Sequence, residues 1–382
     1  MSIIEQTPTA TLDAVQAIAP SLAARATEIE AARALPADVV EELVAAGCFR
    51  TLVPRRFGGA QAELGTQLDV LETLARADGS VGWTVMIGST VPAIFGQLPL
   101  ASVGRVYADG PDLLGAGTFN PTGGATVASG GYRVDGQWSF ASGCTHARWF
   151  VGHCVVDDGR MPPLRMMVMP IDDVEIVDTW SVSGLCGTGS HDVRAVDVFV
   201  PDEMTFSIFE ETELDEPIVR IHELSLSTLE MASVAIGIAA GALDDVIALA
   251  AGKTPMFADT TLAGNALFRF QLAEADAHLR AARALVHSDA AEAWAMAIDG
   301  APFDDVVRAR FRSSAIWATS AATTVVDTAY RAGGGTSLYR ASPLQRRLRD
   351  VHALTQHFGV KLDTYTLAGA VLAGAEVDTS FL

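Results

Sequence analysis

The chain has few charged residues and especially few basic ones. Only 19% of its 382 residues are charged, and 26 Lys and Arg stand against 46 Asp and Glu, which gives a formal net charge of −20. Proteins that bind nucleic acid or dock on anionic membranes need clustered Lys and Arg facing phosphate. The charge balance therefore argues against both kinds of partner.

The chain also has little cysteine and few signs of export. Residues 1–8 show no basic region followed by a long apolar one, so we expect no signal peptide and a cytoplasmic location. The most apolar stretch, residues 231–251, contains Asp244 and Asp245 and is predicted to be a buried helix rather than a membrane span. The cysteines form no CxxC pair and match no zinc-ligand spacing, so we expect reduced, buried thiols and no metal. They are Cys48, Cys144, Cys154 and Cys186.

Apolar residues are what the chain has in abundance. They make up 49% of the sequence, a share that excludes a mainly disordered chain. The length suggests two or three structural units around substantial cores. A large apolar share with few charges is typical of a protein that buries surface between subunits, so we expect an oligomer.

The residue pattern changes twice along the chain. The first third predicts helices, at residues 12–30, after Pro36, at 65–77 and from Trp83 to before Pro99. After Asp109-Gly110-Pro111, alternating residues and Gly-rich turns predict short strands in an antiparallel sandwich or barrel. From residue 222 onward the pattern is helical again, in four long segments joined by short loops, which predicts a four-helix bundle. Those segments are residues 222–251, 260–298, 303–331 and 343–377.

The predicted fold class is therefore α+β with three parts. These are an N-terminal helical domain at residues 1–112, a middle β domain at 113–220 and a C-terminal four-helix bundle at 221–382.

Three segments resemble functional motifs, namely a dinucleotide-binding loop, a catalytic triad and a zinc site, but none of them matches its pattern. Gly115-Ala116-Gly117 has Asn120 where a dinucleotide fingerprint needs its third glycine. Residues 187–192 contain Ser, His and Asp, but neighbours on one strand point to opposite faces and cannot form a catalytic triad. Four further residues have no common zinc-ligand spacing. They are Cys144, His146, His153 and Cys154.

The order of helical domain, β domain and bundle resembles the acyl-CoA dehydrogenase superfamily. The resemblance extends to the sequences of five segments and covers nearly the whole chain. The segments are residues 117–125, 136–143, 183–193, 333–335 and 343–350. It implies a flavin cleft and a homotetramer with the bundles packed at its centre.

One branch of this family fits better than the others. Many acyl-CoA dehydrogenases carry a catalytic glutamate a few residues beyond a pair like Arg349-Asp350, whereas residues 351–358 here contain no carboxylate. The pair Gln356-His357 resembles instead the oxygenase components of two-component flavin monooxygenases. That resemblance implies hydroxylation of a phenolic or indolic substrate through a flavin C4a-hydroperoxide. Reduced flavin, FADH2 rather than FMNH2, would come from a separate reductase and would react with O2.

The resemblance also implies roles for individual residues. Ser142 would be the hydroxyl that holds flavin N5, and His357, as an imidazole of near-neutral pKa, would take the substrate proton. Trp83 would lie against the ring. The residues expected to bind cofactor are Trp83, Thr118, Asn120, Trp138, Ser142, Arg269, Gly334 and Gln356.

Two alternatives stay open at this stage. One is an FAD-dependent acyl-CoA dehydrogenase with Glu223 as its base, and the other is a non-catalytic scaffold of the same fold. Because Lys and Arg are scarce, we expect the chain to bind the phosphates of coenzyme A poorly. It therefore favours a neutral aromatic substrate.

Overall fold

The computed structural model describes residues 8–159, 161–210 and 212–382. The expectation about a signal peptide rests largely on residues 1–7, which lie outside the described residues. The helices of the first part are α1 (Pro8–Ala24), α2 (Ala26–Ala32), α3 (Ala37–Ala45), α4 (Leu64–Ala77), α5 (Gly79–Ile94) and α6 (Leu100–Val106). The strands are β1 (Gly115–Ala128), β2 (Gly131–Ala141), β3 (Trp149–Val156), β4 (Leu164–Pro170), β5 (Glu175–Val177), β6 (His191–Pro201) and β7 (Thr205–Phe206). The later helices are α7 (Pro217–Arg220), α8 (Glu223–Gly252), α9 (Ala266–Asp299), α10 (Asp305–Gly333), α11 (Pro343–Leu354) and α12 (Tyr365–Leu372).

The start of α5 is fixed by a side-chain cap. The carboxylate of Asp78 accepts hydrogen bonds from the backbone N–H groups of Ser80 and Val81, at 2.9 and 3.1 Å. Such a cap satisfies N–H groups that the first helical turn leaves without partners. Because the cap sets where α5 begins, it also sets the position of Trp83 one turn later.

The strands form one mixed sheet rather than the expected antiparallel sandwich or barrel. Among the described residues the strand order is β5-β6-β2-β1-β3-β4-β7. β1 pairs antiparallel with β2 on one side and parallel with β3 on the other, and the remaining pairs are antiparallel. The hairpin of β1 and β2 occupies one edge of β1, so the chain crosses over and adds β3 to the other edge. Alternation of residue types does not reveal that crossover, since parallel and antiparallel strands alternate alike.

The fourth segment of the expected bundle is not one helix. α11 ends at Leu354, and a turn leads to α12 at Tyr365. An ideal Cβ at Gly359 would lie 2.8 Å from the sulfur of Met231, so the turn packs closely on α8. The order of helices, sheet and helices is confirmed, but His357 lies on this turn and not on a helix.

Helix α8 is the central helix of the C-terminal part. It packs against α4, α5, α9, α10 and α11, and its first half is almost wholly buried. Its length and composition alone would allow it to cross a membrane, but most of its apolar segment is covered by the other helices. The expectation of a buried helix over residues 231–251 agrees with this packing.

A buried carboxyl lies in the middle of α8. Glu230 is fully buried, and its Oε1 accepts from Gln67 Nε2 at 2.9 Å. The hydroxyl of Thr90 lies 2.6 Å from Glu230 Oε2 and also 2.6 Å from the carbonyl of Met86. One hydroxyl hydrogen cannot serve both, so a protonated Glu230 that donates to Thr90 satisfies all of these groups. Burial raises the pKa of Glu230 from 4.5 to about 7, in agreement with that arrangement.

We expect the Glu230→Gln variant to remove part of the pH dependence of stability. A raised pKa means that the folded chain holds the proton more tightly, so this stabilisation is complete below pH 4.5 and is lost as the pH rises through about 7. Glutamine keeps the same hydrogen bonds without a charge. Urea unfolding should give a free energy about 1–3 kcal/mol higher than wild type at pH 8 and nearly equal at pH 5. Equal curves at both pH values would contradict a protonated Glu230.

Candidate active site

Ser142 lies at the end of β2 in a buried hydrogen-bonded cluster. Its Oγ accepts from the indole N–H of Trp83 at 3.0 Å and lies 2.7 Å from the hydroxyl of Ser190. Gly143 follows in the left-handed region, with φ +71°, and its N–H donates to the carbonyl of Thr188 at 2.9 Å. This bond fixes the end of β2 to the segment that carries Ser190.

The direction of each hydrogen bond in this cluster can be assigned by accounting for hydrogens. The hydroxyl of Thr188 donates to the carbonyl of Leu185 at 2.8 Å, so Ser190, 2.7 Å away, must donate to Thr188. Ser142 then donates to Ser190 while it accepts from Trp83. The hydroxyl of Ser142 is therefore held at a fixed position, and its remaining lone pair is available to accept a hydrogen bond from a bound group.

Helices α5 and α11 hold the segment that carries Ser190. The N–H of Leu185 donates to Asp350 at 2.7 Å, and the N–H of Gly187 donates to the hydroxyl of Ser80 at 3.1 Å. Burial raises the pKa of Asp350, and the neighbouring Asp78 carboxylate adds to the rise. The Arg-Asp pair of the sequence motif thus has a structural task, because its aspartate anchors the loop that positions Ser190 and Ser142.

His357 lies on the other side of Trp83. The two rings meet edge to face, with centroids 5.6 Å apart. The backbone N–H of Gly359 donates to His357 Nδ1 at 3.1 Å. A backbone N–H can only donate, so Nδ1 is an acceptor and the neutral ring carries its hydrogen on Nε2.

The expected near-neutral imidazole is therefore wrong for this structure. Burial lowers the pKa of His357 to about 4, and the Arg312 guanidinium contributes to the fall. The ring is neutral at physiological pH and presents an N–H rather than a free lone pair. Action as a base would require the bond from Gly359 to break, so the described geometry favours a hydrogen-bond donor.

The family resemblance implied that Trp138 binds the cofactor, but its side chain lies in the core. Its side chain is 0% exposed, its N–H donates to the carbonyl of His153 at 2.9 Å, and its ring packs against Phe150. A Cβ at Gly123 would come within 2.2 Å of the Trp138 ring, so the indole fills the space that glycine leaves in the sheet. Trp138 is a core residue and not a cofactor contact.

Phe140, two residues further on, is the exposed aromatic of this strand. It is 70% exposed and has a positive φ of 67°, which is strained for a residue with a Cβ. The pairing of β2 with β6 shifts register between Trp138 and Ala141, and this irregularity turns Phe140 outward. Its ring meets Trp180 edge to face at 6.2 Å. An exposed aromatic held beside Ser142 is suited to cover a flat ligand.

The remaining predicted residues divide into two groups. Thr118 lies on β1, and its buried hydroxyl has no partner, while Asn120 is exposed at a bulge of the same strand. The hydroxyl of Thr84, next to Trp83, is also buried without a partner. The unpaired hydroxyls of Thr118 and Thr84 fit a ligand whose edge carries both donors and acceptors, as the flavin ring does.

The other group shows local contacts only. Arg269 donates to the carbonyl of Ala263 at 2.7 Å, and Gln356 donates to Thr355 at 3.2 Å. Gly334 has φ +54° in a turn that is contacted by Lys253, the residue after α8, which donates to Thr336 at 2.9 Å. Within the described part of the chain, no contact joins these three residues to Ser142, and their cofactor roles stay predictions.

Glu223 begins α8 in a buried position. Its carboxylate is 3.9 Å from His222 Nε2, and burial raises its pKa to about 7 despite the nearby charge of Arg308. The carboxyl group points to the His222–Arg308 pair. It can hold a proton, so the structure leaves it available as the alternative base.

One group of side chains in the described residues has the geometry of metal ligands. Asp69, Glu72 and His287 bring three ligand atoms within 4.8 Å of one another. Arg283 already pairs with both carboxylates, and His287 Nε2 lies 2.8 Å from Glu72. This cluster is explained as an ion-pair network between α4 and α9.

Comparison with known proteins agrees with this geometry. The family model for the acyl-CoA dehydrogenase N-terminal domain matches residues 8–97, and the model for the C-terminal domain matches residues 229–362. An indole-3-acetate monooxygenase of Pseudomonas putida is 34% identical over 354 residues, 92% of this chain and 91% of that protein. The oxygenase component of an FADH2-dependent resorcinol hydroxylase of Rhizobium sp. is 29% identical over 95% of this chain and 93% of its own.

Solved structures show the same fold. The crystal structure of 3-HSA hydroxylase from Rhodococcus sp. RHA1 superposes with a TM-score of 0.89 at 28% identity, over 97% of this chain and 98% of that one. The chain therefore belongs to the acyl-CoA dehydrogenase family. Within that family it is a flavin-dependent monooxygenase, of the kind that works as an oxygenase component.

Sequence reasoning missed several residues of this site. Ser190 and Thr188 lie within the rejected motif of residues 187–192, and their role depends on contact between neighbouring segments of the sheet. Phe140 lies in segment 136–143, but strand alternation predicts that its side chain is on the same face of the sheet as the buried Trp138. Arg312 gives no sequence signal, since arginines on helices are usually solvated.

Proposed function

We propose that this protein hydroxylates a small phenolic or indolic substrate with O2 and FADH2, the FADH2 supplied by a separate reductase. The observation that carries the proposal is the position of Trp83, whose N–H holds Ser142 and whose ring contacts His357. A flat redox cofactor and a flat substrate need a polar anchor and an aromatic wall side by side. The names of the relatives, which specify FADH2 and aromatic substrates, support the same assignment.

Each residue of the proposed site has a different role. Reduced flavin supplies the electrons that activate O2 when it is bound. Ser142 offers a fixed hydroxyl to the flavin ring, and Phe140 covers it from the open side of the sheet. His357 presents its Nε2–H to the substrate, while Trp83 contacts both Ser142 and His357 and fixes their relative positions. The apolar packing around Trp83 excludes water, which protects reactive oxygen species from wasteful breakdown.

The proposal is tested with isotopic oxygen. Purified protein is mixed with a flavin reductase, NADH, FAD and ¹⁸O2, with indole and phenol as probe substrates. We expect a hydroxylated product that carries one labelled oxygen atom, and the same product when chemically reduced FAD replaces the reductase. An unlabelled product would overturn the proposal. So would bleaching of oxidised FAD by an acyl-CoA under nitrogen, the reaction that Glu223 would serve.

We also propose that the protein works in the cytoplasm as a homotetramer assembled through its C-terminal helices. Helix α9 leaves four large apolar side chains at least a third exposed, which is costly for a monomer. They are Leu267, Phe270, Leu285 and Ile298. Light scattering on the purified protein should give the mass of four chains, and a monomer at micromolar concentration would contradict the assembly.

A further inference from the structure

Arg312 on α10 is a buried cation without a counter-charge. Its side chain is 2% exposed, and its Nε and Nη1 have no hydrogen-bond partner. Nη2 donates to the carbonyl of Phe358 at 3.2 Å, and the guanidinium lies 5.8 Å from the centroid of the Phe358 ring. Within the described ranges, no carboxylate pairs with it. A buried charge left unpaired destabilises a fold, so its presence calls for a ligand.

The polar groups nearest to Arg312 add donors rather than acceptors. Arg308 Nη1 lies 3.1 Å from His222 Nε2, which must accept, so neutral His222 carries its hydrogen on Nδ1. That Nδ1 is buried and has no partner, and neither has Arg308 Nε. Asp305 compensates Arg308, and Glu223 lies nearest to His222. This region therefore has several hydrogen-bond donors without an acceptor, and a carboxylate would supply the missing acceptor oxygens.

An anion that pairs with Arg312 could belong to the substrate or to the cofactor, and the position of Arg312 favours the substrate. Arg312 contacts Phe358, the residue next to His357, and its charge reaches both His357 and His222. His357 in turn contacts Trp83, the residue that holds Ser142. The guanidinium therefore lies beside the residue assigned to the substrate, and among the described residues no contact joins it to Ser142 or Trp83.

We propose that Arg312 and the Nδ1–H of His222 form a subsite for the carboxylate of an aromatic substrate. The substrate class is then an aryl carboxylic acid, such as an arylacetate, rather than the neutral aromatic that the overall charge suggested. The inference rests on the proposed function, since it assumes that the aromatic ring of a substrate lies beside His357. It adds the charge and the orientation of that substrate.

The test compares an anion with its neutral isostere. Indole-3-acetate and indole-3-acetamide are titrated calorimetrically, under nitrogen, into the protein loaded with reduced FAD. 4-Hydroxyphenylacetate and its amide serve as a second pair. For at least one pair we expect the acid to bind ~10–100-fold more tightly than the amide, the range typical of charge-assisted hydrogen bonds. Arg312→Met should remove this preference and leave amide binding unchanged, and Arg312→Lys should keep part of it.

Arg310→Met is the matched control, because Arg310 lies two residues away and pairs with Glu292 at the surface. It should leave the preference intact. Removal of an unpaired buried charge should keep or raise the melting temperature of the Arg312→Met variant.

Four results would overturn the subsite. They are equal binding of acid and amide by wild type, equal weakening of both probes by Arg312→Met, weaker binding of reduced FAD by that variant, and a lower melting temperature with an unchanged preference. The third would assign the anion to a flavin phosphate. Failure of the wild type to bind reduced FAD at all would instead contradict the proposed function.

Discussion

The His357→Ala variant is expected to form hydroxylated product ~10²–10³-fold more slowly than wild type, the usual cost of removing one positioned donor from a buried site. Nδ1 is occupied by the N–H of Gly359, so the missing interaction is the one made by Nε2–H. The variant should still bind reduced FAD and consume O2, because Ser142 and Trp83 are untouched. Product is measured by liquid chromatography, and O2 uptake with an oxygen electrode.

Two comparisons decide what His357 does. A donor role predicts that His357→Gln, which retains an N–H, recovers part of the lost rate, whereas a base role predicts no recovery. Because the pKa of His357 is about 4, the wild-type rate should show no histidine titration between pH 5.5 and 8. The control is His352→Ala, since His352 lies on the exposed side of α11 and pairs with Asp327. Product formation at the wild-type rate in His357→Ala would remove His357 from the reaction.

The Ser142→Ala variant is expected to uncouple O2 consumption from hydroxylation. Without the hydroxyl, the N–H of Trp83 loses its acceptor and the ligand loses a fixed hydroxyl oxygen. We expect the near-ultraviolet species that forms when the reduced protein meets O2 to decay ~10²-fold faster, with hydrogen peroxide replacing product.

The matched control for Ser142 is Ser139→Ala. Ser139 is exposed on the same strand, so its loss should change neither peroxide nor product. Ser190→Ala should have a smaller effect than Ser142→Ala, because it removes only the partner that orients the Ser142 hydroxyl. Equal yields of product from wild type and Ser142→Ala would refute the assigned role.

The fold was largely predictable from the sequence because its boundaries depend on local chemistry. Asp78 ends one helix and caps the next, and Pro36 precedes the first residue of α3. The parallel pairing of β1 with β3 was not predictable, because it depends on a crossover between strands distant in the chain. The break after Leu354 was hidden as well, because close packing of Gly359 on Met231 is a tertiary contact.

The site was predictable only in part. Ser142, Trp83 and His357 were identified by resemblance, and the structure brings all three together. Trp138 was the predicted cofactor contact on β2, but the exposed aromatic of that strand is Phe140. A register shift between Trp138 and Ala141 interrupts the side-chain alternation that the sequence suggests. The protonation state of His357 and the missing counter-charge of Arg312 arise from neighbours on separate helices and turns, which no local pattern records.

Rapid mixing with O2 tests the central claim most directly. The protein is loaded anaerobically with reduced FAD and mixed with oxygenated buffer, with and without an aromatic substrate, while near-ultraviolet absorbance is followed. The account predicts an absorbing species that persists without substrate, that decays with product formation when substrate is present, and that is lost early in Ser142→Ala. Direct appearance of oxidised flavin and peroxide in the wild type, with no such species, would contradict it.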